Sequence, residues 1–141
     1  MNEKVQKIMD LIREKEIKMV DFTMVDINGQ FRHVTIPAQD FSEDVMKNGI
    51  GFDASNYGYA VVEKSDMVFI PDPDTASIDP FCEIPTLSMM GNAMIIDYPE
   101  NRPLAQYPRN IVAAAEKYMK DCGVADTMYI LPEFEFYLFD N

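Results

Sequence analysis

Two carboxylates sit where an apolar strand should not want them: Glu133 and Glu135, within Leu131-Pro-Glu-Phe-Glu-Phe-Tyr-Leu-Phe-Asp140. Strand alternation sends Glu133, Glu135, Tyr137 and Phe139 to one face, and Phe134, Phe136 and Leu138 to the other. Same-face neighbours then stand roughly 7 Å apart along the backbone. Two ionised glutamates that close repel each other unless something positive lies between or beside them; a hard divalent cation or a pair of basic residues would serve. Carboxylate oxygens are what Mg2+ or Mn2+ prefers, so the pair could serve one site or two adjacent metals. A solvated face of an antiparallel edge strand is the alternative that the spacing leaves open.

Asp53 is the second candidate. It lies in Gly49-Ile-Gly-Phe-Asp-Ala-Ser-Asn-Tyr-Gly-Tyr59, whose glycines let backbone approach a ligand closely and whose Ser55, Asn56 and Tyr57 can hydrogen-bond. Such an aspartate can be a base, or can simply close an Asx turn. The aromatics predict an ordered loop. It is not a phosphate cradle, because it lacks GxGxxG and GxxxxGK[ST] and no lysine follows its glycines. His33 is the only histidine and reads as an ordinary strand residue, so a two-imidazole zinc site or a histidine-based triad has no support. The methionines read as core filling.

The elements that must position these residues follow from periodicity. Val5, Ile8, Met9 and Ile12 predict an amphipathic helix behind an Asn2 cap, ending near Lys15. Alternation on either side of Asn28-Gly29 predicts a hairpin. Ser42 caps a short helix that Gly49 closes. Strands are expected at Asp66–Ile70, near 78–81, at 86–90 and at 93–97, with Pro85 and Gly91 as breaks. That is a small α+β sheet domain over residues 1–103. Asn101-Arg-Pro103 reads as a linker. Pro108 then opens a helix with Ile111, Ala115, Tyr118, Met119 and Cys122 on one face, and 127–139 is strand material. One helix and one or two strands cannot bury their own apolar faces, so 104–141 is expected to begin a second domain.

The chain of 141 residues is 48% hydrophobic, enough for a core. Its 24 acidic against 12 basic residues argue against nucleic acid and against an anionic membrane surface. No apolar run is long enough to span a bilayer, and the amino terminus is a charged helix. Cys82 and Cys122 have neither metal nor redox spacing, so both are expected reduced, Cys122 on the buried side of its helix, in a cytoplasmic protein.

Four stretches in order, Phe52-Asp-Ala-Ser-Asn-Tyr-Gly58, Glu63-Lys-Ser-Asp-Met67 with Pro71-Asp-Pro-Asp-Thr75, Pro108-Arg-Asn110, and Pro132-Glu-Phe-Glu-Phe-Tyr-Leu-Phe-Asp140, resemble the amino-terminal part of a type I glutamine synthetase. The resemblance implies a β-grasp domain followed by the first helix and strand or strands of an antiparallel-sheet catalytic domain. It implies ATP-dependent ligation of ammonia to glutamate through a γ-glutamyl phosphate, with Mg2+ or Mn2+ neutralising the transferring phosphoryl group. Glu133 and Glu135 match ligands of two different metals. Asp53 matches the loop aspartate that binds and deprotonates ammonium in the neighbouring subunit's site, within a homo-oligomer of two hexameric rings. The family's loop usually reads Phe-Asp-Gly-Ser-Ser, and here Ala54 and Asn56 replace the glycine and the second serine; a γ-glutamyl ligase for another small amine is therefore an alternative. Val61-Val62 stands where some members carry a regulatory arginine. A non-catalytic β-grasp interaction module is the reading from another class. On the family reading the 141-residue chain alone is expected to be inactive.

Overall fold

A computed structural model of the chain describes residues 3–140. The opening periodicity becomes α1 (Glu3–Glu14), with Val5 and Ile8 buried and Met9 and Ile12 packed against the same core. Its expected cap, Asn2, lies outside the described residues. The next alternation gives β1 (Met19–Val25) and β2 (Phe31–Pro37), paired antiparallel from Met19–Pro37 to Val25–Phe31. Asp26 ties the turn between them. Its buried carboxylate accepts from the Asn28 and Gln30 N–H groups through one oxygen and from Arg32 Nε through the other, each at 2.9 Å.

Ser42 accepts from the Val45 N–H at 3.3 Å and so caps α2 (Glu43–Asn48), and Gly49 closes it at φ 77°. Then come β3 (Ile50–Asp53), β4 (Asp66–Pro71), β5 (Ser77–Ile78), β6 (Thr86–Ile95) and β7 (Arg102–Pro103). The seven strands run β2-β1-β6-β4-β3, with β5 and β7 also on β6. β6 is the spine. Its first half pairs parallel with β1 and antiparallel with β5, and its second half pairs antiparallel with β4 and β7.

The expected break at Gly91 does not occur; β6 runs straight through it. A glycine within a strand also marks a close backbone approach, and that is its role here. A Cβ at position 91 would meet the Ile70 carbonyl oxygen at 2.2 Å and the Phe69 ring at 2.7 Å. Phe69 and Phe22, with ring centroids 6.1 Å apart, form the middle of the core, and Met24, Met46, Met67 and Met89 fill space around them.

Arg102-Pro103, read from sequence as linker, instead extends the sheet as β7. Leu104 and Tyr107 beyond it are fully buried. Pro108 opens α3 (Pro108–Asp121), whose first turn is pinned by Asn110 Nδ2, donating to the Ala93 carbonyl at 2.8 Å and the Leu104 carbonyl at 2.9 Å. Arg109 reaches Asp72 at 2.6 Å. The first compact unit accordingly runs Met1–Ile111, and the second Val112–Asn141.

In the second unit α3 ends at Gly123, which takes φ 65° and donates its N–H to the Lys120 carbonyl at 3.0 Å. Two expectations fail here. Cys122 is exposed, because the helix face it shares with Ile111 and Tyr118 is itself exposed. Residues 127–139 form no strand: a strand exists through its ladder partner, and the described residues of this unit contain no second strand to pair with. Leu131, Phe134 and Phe136 are exposed in consequence.

Candidate functional site

β3 is the outer strand of its side of the sheet and runs antiparallel to β4 in the register Ile50–Phe69, Gly51–Val68, Phe52–Met67, Asp53–Asp66. Alternation divides its last two residues. Phe52 turns inward, where its ring meets Tyr57 edge-on at 5.4 Å, so Asp53 is exposed on the opposite face. The core contact of one residue thus aims the carboxylate of the next. Asp66 is the cross-strand partner of Asp53, on the same face; opposed residues of antiparallel strands have Cβ atoms about 5 Å apart. Two neighbouring carboxylates there favour a cation. Asp66 was not singled out from sequence, since only strand register pairs it with Asp53.

The chain after Asp53 is as ordered as its aromatics predict. Residues 54–57 form a 3-10 turn whose Ala54 is fully buried and donates its N–H to the Ser65 carbonyl at 2.8 Å. Ala54 is not among the positive-φ residues, so this position needs no glycine. Gly58 does: it takes φ 79°, and a Cβ there would meet Ile27 Cγ2 at 2.5 Å. The Ile27 N–H donates to the Tyr57 carbonyl at 3.1 Å and the Tyr59 hydroxyl to the Val25 carbonyl at 2.8 Å, binding the loop to the β1–β2 turn.

Asp53 itself caps the 3-10 turn. Its Oδ1 accepts from the Ser55 N–H at 2.9 Å and from the Ser55 hydroxyl at 2.6 Å. The Ser55 hydroxyl is the first reason its carboxyl is held below the ordinary value, followed by the Ser65 side chain and the Ser55 N–H, with the small effect of burial opposing. The Ser65 side chain, which also donates to the Val62 carbonyl at 2.9 Å, is thus a second group that favours the ionised carboxylate. The Asx-turn and functional readings of Asp53 are therefore compatible: one oxygen closes the turn while the carboxylate stays exposed and ionised. Asn56 is exposed in the same turn.

Glu133 and Glu135 belong to the second unit, in the exposed segment without strand pairing, and the described side chains put Tyr137 and Phe139 with ring centroids 6.3 Å apart. Their chemistry suits a hard cation. Among the described residues no group of three or more His, Cys, Asp or Glu could hold a metal ion.

The class of this mixed α+β sheet is the β-grasp domain: residues 16–95 match the β-grasp domain of glutamine synthetase. The chain belongs to the glutamine synthetase family. A glutamine synthetase from Azospirillum brasilense is 40% identical over 138 residues, which are 97% of this chain and 29% of that protein. A 3-hydroxylaminophenol mutase from Cupriavidus pinatubonensis is 38% identical over 142 residues, covering all of this chain and 30% of that protein. The solved GmaS/ADP complex shares the fold at a TM-score of 0.70 and 22% identity, over 81% of this chain and 25% of that one. The chain thus spans less than a third of the length of these relatives. No helix among the described residues is long and apolar enough to cross a membrane.

Proposed function

We propose that this chain is the amino-terminal portion of a cytoplasmic, ATP-dependent glutamate–ammonia ligase, with a β-grasp domain at 1–103 and the start of a catalytic domain at 104–141. The observation that carries the reading is Asp53: in a member of this family, an exposed carboxylate is anchored by one oxygen at the end of the outer strand and held ionised by Ser55. In the proposed reaction ATP phosphorylates the γ-carboxylate of glutamate, and ammonia then displaces phosphate to give glutamine and ADP. Ammonium cannot attack until it loses a proton. Asp53 holds the cation by charge and accepts that proton, acting in the site of a neighbouring subunit, so a homo-oligomer of two hexameric rings is part of the proposal. Glu133 and Glu135 would each ligate a divalent ion, Mg2+ or Mn2+, whose contribution when bound is to neutralise charge on the phosphoryl group.

The test is made in the full-length protein. Asp53→Ala is expected to lower ammonia-dependent glutamine formation by about 100-fold or more, the usual worth of a positioned base. Glu133→Ala and Glu135→Ala are each expected to weaken metal-dependent activity strongly. Wild-type ammonium kinetics in Asp53→Ala, or synthetase activity in the 141-residue chain alone, would sink the reading.

A second reading is favoured by Asn56, which stands where the family usually has serine: the acceptor is another small primary amine. A panel of amines assayed against ammonium on the full-length protein separates the two, the better acceptor being the one with the higher kcat/KM.

A further inference from the structure

The loop at Asp53 contains one hydrogen bond more than the fold requires. A helical turn leaves backbone N–H groups unpaired at its start, and a cap answers them. The Ser55 N–H donating to Asp53 Oδ1 at 2.9 Å is such a bond. The Ser55 hydroxyl, donating to the same oxygen at 2.6 Å, satisfies no backbone group. Its length is that of a hydroxyl bonded to an ionised carboxylate. Two donors fill the two lone pairs of Oδ1 and leave those of Oδ2. Both bonds come from Ser55, half-buried in the turn, and hold the carboxylate from its Oδ1 side, with the Ser65 side chain also close to the carboxylate.

We propose that Ser55 is a positioning residue: by holding Oδ1 with both its N–H and its hydroxyl, it presents Oδ2 of Asp53 as the one acceptor for the N–H of an ammonium or small primary ammonium ion. This rests on the reading of Asp53 as the ammonium-binding carboxylate. The two side chains of the turn differ in this: the hydroxyl at 55 acts on the carboxylate, whereas Asn56 makes no hydrogen bond to Asp53. The same bond favours the ionised form, the leading cause of the low position of Asp53 on the pH scale.

Ser55→Ala tests this directly, because it keeps the capping N–H and removes only the hydroxyl. In the 141-residue chain, carboxyl-carbon NMR should show the Asp53 midpoint moving up toward the ordinary aspartate value in Ser55→Ala, and unmoved in Ser55→Thr and Asn56→Ala. In the full-length protein Ser55→Ala should raise KM for ammonium about ten-fold, the worth of one hydrogen bond to a charged group, with KM for glutamate unchanged. The acid limb of kcat/KM for ammonium should move to higher pH, and Ser55→Thr should restore both. An Asp53 that titrates alike in wild type and Ser55→Ala overturns the proposal. So does an equal rise in both KM values, or loss of the folded state in Ser55→Ala, since either makes the hydroxyl a structural bond. If instead Asp53→Ala leaves ammonium kinetics intact while the NMR shift in Ser55→Ala persists, it is the ligase reading of Asp53 that fails.

Discussion

Replacing Gly91 with alanine would act on β6, the strand with which β1, β4, β5 and β7 all pair. A Cβ at this position would stand 2.2 Å from the Ile70 carbonyl oxygen and 2.7 Å from Cε1 and Cζ of Phe69. Carbon normally keeps roughly 3.3 Å or more from a carbonyl oxygen, so β4 and β6 would have to part by about 1 Å. The obstacle is backbone on one side and a fully buried core ring on the other, and neither can rotate away. Overpacking costs about 1–3 kcal/mol. Parting the strands also weakens the Asp72 N–H to Met90 carbonyl bond, now 2.8 Å, and its neighbours in the ladder. At about 1 kcal/mol for such a bond, the total is about 2–4 kcal/mol, a large share of the 5–15 kcal/mol typical of a domain. Urea unfolding followed by far-ultraviolet circular dichroism should show the midpoint falling by about 2 M, for a slope of about 1.5–2 kcal/mol per M. Gly51→Ala is the control, since nothing lies within 4 Å of the added carbon and φ is not positive. It should change stability by no more than about 0.5 kcal/mol. Equal midpoints for the two variants would refute the account of β6 as a spine closed by a glycine.

Other perturbations probe the supports of the site. Asp26→Asn tests pH dependence: backbone N–H of Gln30 first, then Arg32 and Asn28, hold the Asp26 carboxyl below its ordinary value against the effect of burial. A group whose folded value is depressed contributes stability that is complete above the unfolded value, about 3.9, and is lost as pH falls through the folded value. Thermal melts between pH 5 and pH 2 should therefore be flatter for Asp26→Asn than for wild type, and parallel curves would contradict the assignment. Asn110→Ala removes two bonds to carbonyls of the sheet and its extension and should cost about 1–3 kcal/mol in urea unfolding, whereas a neutral result would mean that α3 is not anchored there. Among the described residues the buried Tyr107 hydroxyl has no well-formed hydrogen bond, while Tyr59, pushed up to about 12 chiefly by burial, donates to Val25. Tyr107→Phe should be neutral or slightly stabilising and Tyr59→Phe should cost about 1 kcal/mol, an order that the reverse ranking of melting temperatures would disprove. Both Cys82 and Cys122 should react with a thiol reagent in the native chain, and protection of either would contradict its exposure.

Much of this protein was legible along the chain because the deciding interactions are local. The i, i+3, i+4 spacing of Val5, Ile8, Met9 and Ile12 made α1, the Asn28-Gly29 turn made the β1–β2 hairpin, and Ser42 with Gly49 bounded α2, all through contacts within a few residues. Asp53 could be picked out in the same way, as a carboxylate among glycines and hydrogen-bonding neighbours. What only tertiary structure decided depends on partners distant in sequence. Gly91 read as a break became a point of close approach because Ile70 and Phe69 come to lie against it. Arg102-Pro103 read as linker became a strand because Met94 and Ile95 were there to pair with it. Cys122 shared a helical face that periodicity marked as buried, yet burial needs a second surface, and that face is exposed. The pairing of Asp53 with Asp66 and the double grip of Ser55 on one carboxylate oxygen belong to register and turn geometry. Periodicity along a chain says which residues share a face; it cannot say what, across space, that face will meet.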